Sequence, residues 1–154
     1  MTTLTGGEAI VSGLVAHGID TVFGLPGAQV YGLFDALHRA QPKLKVIGAR
    51  HEQACGYMAY GYARSTGKPG VFSVVPGPGV LNAGAALLNA YGSNEPVLCL
   101  TGQVPTQFLG KGRGHGEAQL MRVGDDAAPA AERHHGRVDH LGQFQNFLAR
   151  VNRT

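Results

Sequence analysis

The run Val71-Phe72-Ser73-Val74-Val75, followed at once by Pro76-Gly77-Pro78-Gly79, constrains the fold more than any other stretch of the chain. A near-continuous apolar strand is one buried on both faces, as in a parallel sheet covered by helices. The prolines and glycines stop it abruptly. Three further segments repeat the pattern: Thr21-Val22-Phe23 closed by Gly24-Leu25-Pro26-Gly27, Lys45 to Ala49 closed by Arg50-His51-Glu52-Gln53, and Val97-Leu98-Cys99-Leu100 closed by Thr101-Gly102-Gln103-Val104-Pro105. Helical signals separate them. Thr5-Gly6-Gly7-Glu8 has the spacing of a capping box and predicts a helix to about His17. Val30, Leu33, Phe34 and Leu37 mark a second helix ended by Gln41-Pro42. Cys55, Met58, Ala59, Tyr62 and Ala63 mark a third, opened by Glu52, and a fourth is predicted from about Leu81 to Tyr91. Strands this far apart cannot pair as hairpins. The order therefore predicts an α/β fold, a doubly wound parallel sheet flanked by helices with right-handed crossovers.

Composition agrees with one such domain: 154 residues, 44% hydrophobic and only 15% charged, suit a buried sheet. The formal charge of +3 is small, and before Lys111 six basic residues face five acidic ones, which is no nucleic-acid footprint. Cys55 and Cys99 are far apart in apolar stretches, without metal spacing, and read as free thiols in a reducing, cytoplasmic setting. No apolar run approaches the ~18 residues of a membrane span, and the amino terminus lacks the features of an export signal. After about residue 110 the texture changes. Residues 111–154 carry no sustained periodicity until Leu141, Phe144, Phe147, Leu148 and Val151, so the reading is a domain at 1–110 and an irregular tail at 111–154. His134, His135 and His140 lack the thiol or paired carboxylates that would make them a metal site.

Four loops leave the strand ends, and in an open α/β sheet that edge is where ligands bind. Among them the loop Arg50 to Gln53 carries the one carboxylate, Glu52. A carboxyl group desolvated there is expected to have a raised pKa and to share a proton with a ligand nitrogen; a first-turn glutamate favoured by the helix dipole is the alternative. Nucleotide motifs fail. Gly77-Pro78-Gly79-Val80-Leu81-Asn82 has Asn where a dinucleotide fingerprint needs glycine, and its prolines remove amides that would cradle phosphate. Gly67-Lys68 precedes Pro69, so it is no Walker loop, and neither Ser73 nor Ser93 stands in a hydrolase elbow. His51 reads as a structural neighbour of the strand end and Arg64 as a helix-end partner.

Several segments in order resemble the pyrimidine-binding amino-terminal domain of thiamine diphosphate enzymes of the acetolactate synthase and 2-oxo acid decarboxylase family. They are Phe23 to Gly27, Arg50 to Gln53, Gly61 to Arg64, Thr66 to Gly70, Gly77 to Gly79 with Asn82, and Thr101 to Pro105. The resemblance covers about residues 4–115. It implies that Glu52 hydrogen-bonds the N1′ nitrogen of the cofactor's aminopyrimidine, that Pro26 and Gly27 line the pyrimidine site, that Gly77, Pro78, Gly79 and Asn82 shape its edge, and that Gln103 faces the reacting carbon. A loop amide bonding local backbone is the alternative for Gln103. By the same resemblance the substrate is a small 2-oxo acid, the reaction decarboxylation or carboligation, and the partner a second copy of the chain or a subunit carrying the diphosphate domain. Tyr57, Met58, Tyr60 and Tyr62 become interface or core candidates. Mg²⁺ would enter only through that absent domain, since no Gly-Asp-Gly occurs and Asp125-Asp126 follows no strand; FAD is known in the family but has no support here. A truncated or frameshifted product without activity of its own, a non-catalytic relic, and an unrelated α/β nucleotide binder are the alternatives.

Overall fold

The computed structural model describes residues 3–108; the expectations placed on 111–154, the histidines and the Leu141 to Val151 pattern included, lie outside the described residues. Helix α1 (Gly6–Ala16) begins at the capping box, where the Glu8 amide donates to Thr5 Oγ1 and the Glu8 carboxylate accepts from the Thr5 amide. Such a cap is worth about 1 kcal/mol. Strand β1 (Thr21–Gly24), helix α2 (Tyr31–Arg39) and strand β2 (Lys45–Gly48) follow, then α3 (Glu52–Thr66), β3 (Gly70–Val74), α4 (Pro78–Gly92), β4 (Val97–Thr101) and a short 3-10 turn at Thr106–Phe108. Gly67 ends α3 with a φ of 70°, a left-handed conformation that glycine adopts without strain.

The sheet has the order β2-β1-β3-β4, and every pairing is parallel. The doubly wound parallel sheet expected from the alternation is therefore the fold. Register places Phe23 beside Ile47 and Phe72, and Phe72 beside Cys99. Strand β3 is central and buried throughout, which is why its sequence is apolar almost without interruption. One face carries Phe23, Phe72 and Val74 against Cys55, Ala59 and Ala83 of α3 and α4. The helices approach closely there because their contact is built of small residues: a Cβ on Gly56 would lie 2.7 Å from that of Ala86. On the other face Gly24 meets the Phe34 ring of α2, and a side chain at Gly24 would strike it.

Strand β2 is an edge strand with Lys45, Ile47 and Gly48 exposed. One expectation is corrected. Helix α4 starts at Pro78, three residues before the expected Leu81, because a proline that cannot pair in a sheet is well suited to the first helical turn. Its buried face is Ala83, Ala86 and Ala90, while Leu81 and Leu88 point outward. Among the described residues no helix is long and apolar enough to cross a membrane.

Candidate functional site

The strand order selects one place on the sheet edge. From β1 the chain crosses to β2 on one side and then to β3 on the other, so the connections diverge between β1 and β3. A crevice forms outside the carboxyl ends of strands at such a switch point. The loops that flank it are Gly24 to Gly27 and Val75 to Gly79.

The two loops meet across Val75. A Cβ on Gly27 would run into Val75 Cγ1, and one on Gly79 would lie 2.7 Å from Val75 Cγ2. Both glycines are required by close approach. Gly77, at φ 66° and ψ −111°, turns the chain from β3 into α4 in a conformation that L side chains rarely adopt. Val75 was not among the expected site residues. In sequence it reads as the last residue of a buried strand, and no local signal marks it as a spacer between two loops.

Glu52 comes into the same place from β2's end, as the first residue of α3. His51 caps that helix, its Nδ1 accepting the Gln53 amide at 3.2 Å, so the histidine has the structural role the sequence favoured. Glu52 Oε2 accepts a hydrogen bond from Asn82 Nδ2 at 3.0 Å, and Oε1 lies 3.6 Å from where a Gly79 side chain would begin. Thus Glu52, Gly79 and Asn82, distant in sequence, form one contact set, and Gly27 joins it through Val75.

The electrostatics correct a further expectation. Burial does not dominate at Glu52, which is partly exposed; the Asn82 amide, then the backbone amide of Glu52, and more weakly the charge of His51, hold its carboxyl below the usual glutamate range. A hydrogen bond to the charged form favours that form, and here it outweighs desolvation. The protein alone therefore presents an ionised acceptor at this edge. Gln103 is exposed and its Oε1 accepts from the Val104 amide at 2.9 Å, the local backbone bond that was its alternative reading. Pro26 is exposed on the loop that flanks the crevice. Arg64 pairs with Glu95 at 3.4 Å, Tyr62 donates to Asp20 at 2.9 Å, and Tyr57 accepts from Asn89 at 2.8 Å, so these three serve structure near α3. The described residues contain no group of three or more His, Cys, Asp or Glu side chains placed to hold a metal.

Fold and edge together define a class: a parallel α/β ligand-binding domain whose site combines glycine-rich turns with one ionised carboxylate at the switch point. Residues 4–128 match the family described as "Thiamine pyrophosphate enzyme, N-terminal TPP binding domain", and the chain belongs to that family. It is 41% identical over 107 residues to the mitochondrial acetolactate synthase catalytic subunit of Saccharomyces cerevisiae, a match covering 70% of this chain and 15% of the yeast protein. It is 44% identical over 112 residues to the "Probable 2-ketoarginine decarboxylase AruI" of Pseudomonas aeruginosa, covering 73% and 20%. The acetolactate synthase large subunit of Haemophilus influenzae is 43% identical over 110 residues, covering 71% and 19%. The chain thus spans a fifth or less of the length of these relatives.

Proposed function

We propose that this chain is the pyrimidine-binding part of a thiamine diphosphate-dependent 2-oxo acid decarboxylase or carboligase, and that turnover requires a diphosphate-binding domain from further polypeptide or from a partner chain. The supporting observation is the convergence of Glu52, Asn82, Gly79 and, through Val75, Gly27 at the switch point. The residues fit an aminopyrimidine. Val75, seated against Gly27 and Gly79, offers an apolar contact, and the Glu52 carboxylate offers an acceptor to a ring nitrogen that carries a proton.

Thiamine diphosphate, when bound, supplies the electron sink for breaking the bond to the carboxylate of a 2-oxo acid. Glu52 holds a proton at the pyrimidine ring nitrogen and so sets the ring's tautomer. Pro26 and Gly27 would line one wall and Gly77 to Gly79 the other, while Gln103 stands on the loop after β4 with its side-chain oxygen held by the Val104 amide, so a part at the substrate end requires that bond to open. Because its carboxyl is ionised in the free protein, Glu52 would accept that hydrogen bond once the ring nitrogen carries a proton, taken from solvent or shifted from the ring's own amino group.

The partner is a second copy or a subunit carrying the diphosphate domain; Mg²⁺ would be held there. Leu81, Leu88 and Tyr91, at 59%, 68% and 73% exposure, lie along the outer side of α4 and give such a partner an apolar surface. The test is pyruvate-dependent CO₂ release with thiamine diphosphate and Mg²⁺, from the chain alone and with a candidate diphosphate-domain chain. Turnover is expected only in the combination, and Glu52→Gln is expected to lower it by about a hundredfold or more. Equal rates for Glu52→Gln and wild type would sink the mechanism. No turnover in any combination would make the chain a non-catalytic relic.

A further inference from the structure

The Glu52 carboxylate is not symmetric in its surroundings. Oε2 accepts from the Asn82 amide, whereas Oε1 lies beside Gly79, 3.6 Å from where a side chain on that residue would begin, with Val75 packed against the same glycine. The contact bridges 30 residues of sequence and ties the first turn of α3 to the first part of α4. We propose that Asn82 is the positioning residue of this site: by holding Oε2 it fixes the carboxylate's orientation, and it leaves Oε1 as the atom that meets a ligand N–H. This assignment rests on the functional reading above and deepens it, since Asn82 then acts through Glu52 and not as a wall of the pyrimidine site.

The chemistry follows from the donor. An amide NH₂ can give a hydrogen to a carboxylate but cannot take up or lose a proton near neutral pH, so it stabilises the charged form without becoming a second titrating group. Other ionisable groups around Glu52 are few. His51 precedes it, Cys55 lies one turn further along α3 and has its thiol pushed up by burial and by the Glu52 charge, and α4 places no acid or base near it. The 24–27 and 75–79 loops contain no ionisable side chain. Asn82 is thus the group most able to set the carboxylate's behaviour.

The test uses the full chain labelled with ¹³C at the glutamate side-chain carboxyl, titrated by NMR, with the Glu52 signal assigned by its loss in Glu52→Gln. Wild type is expected to titrate below ordinary glutamate. Asn82→Ala is expected to move the Glu52 midpoint up, toward the ordinary glutamate range. Asn82→Asp places a second carboxyl beside the first and is expected to give a coupled two-step titration with one step above the ordinary range. Asn89→Asp, on the same helix, is expected to leave Glu52 unchanged and serves as the control for added charge. Binding of thiamine, which carries the aminopyrimidine without the diphosphate, is followed in the same samples at neutral pH and is expected to weaken about tenfold in Asn82→Ala. A Glu52 midpoint unmoved in both Asn82 variants overturns the assignment, as does thiamine affinity equal to wild type when the midpoint has moved. If wild type itself does not bind thiamine, the functional reading fails, and the titration alone still decides whether Asn82 governs Glu52.

Discussion

Ser73 Oγ is buried without a hydrogen-bond partner, in a strand whose other side chains, Val71, Phe72 and Val74, are apolar. Leaving a buried hydroxyl unsatisfied costs about 1–3 kcal/mol. Ser73→Ala removes the hydroxyl and little volume, so it is expected to raise stability by about 1 kcal/mol, read as a higher urea midpoint at unchanged slope. The carboxylates behave oppositely. Asp20 accepts hydrogen bonds from Thr21 and Tyr62, which hold its carboxyl below the usual range despite a little burial, with Lys68 adding a smaller effect. A depressed folded pKa means that the unfolded chain binds the proton more readily, so the contribution is complete above the unfolded value and is lost as pH falls through the folded one. Stability is therefore expected to decline as pH falls from the ordinary aspartate range through the lower folded value, and Asp20→Asn is expected to show a smaller decline when urea unfolding is compared at neutral and acid pH. At Glu52 the sequence placed a carboxylate at the sheet edge but gave its proton affinity the wrong sign. Its position after a strand was legible, but the sign of its shift depends on Asn82, and a contact across 30 residues cannot be read from local pattern.

At the scale of elements, the helix and strand order was legible because each strand is short, apolar and stopped by glycine or proline, and each helix repeats at three and four residues. The capping box at Thr5 carried its own geometry into the fold. What local pattern could not show is how closely elements approach. Gly70 opens β3 where the Ala59 carbonyl of α3 occupies the space a side chain would need. Gly70→Ala must push helix and strand apart, at an expected cost of about 3 kcal/mol, measured by chemical denaturation; a loss below about 0.5 kcal/mol would show that the contact is not present in solution. The apolar residues of α4 were legible as helical, but their division was not: Ala83, Ala86 and Ala90 are buried and Val80 and Leu87 pack partly against the core, while Leu81, Leu88 and Tyr91 are exposed.

At the scale of the whole molecule, the exposed row of Leu81, Leu88 and Tyr91 is too apolar to be left to water without consequence. Leu88→Glu is expected to weaken association, with a second copy or with a diphosphate-domain chain, by at least tenfold while leaving the fold intact, because the side chain is exposed and buries little in the chain itself. Sedimentation velocity and circular dichroism on the same samples check both halves; unchanged association would remove α4 from the interface. By itself, the sequence determined the alternation of elements, the glycine and proline turns at the strand ends, the family resemblance and the placing of Glu52 at a sheet edge, since all of these are written in local spacing and residue type. Only the tertiary structure decided the order β2-β1-β3-β4, the switch point it creates, the spacer role of Val75 and the bond from Asn82 that keeps Glu52 charged. Those depend on which elements lie side by side, and neighbours in a parallel sheet are chosen by long-range packing that no short stretch of chain encodes.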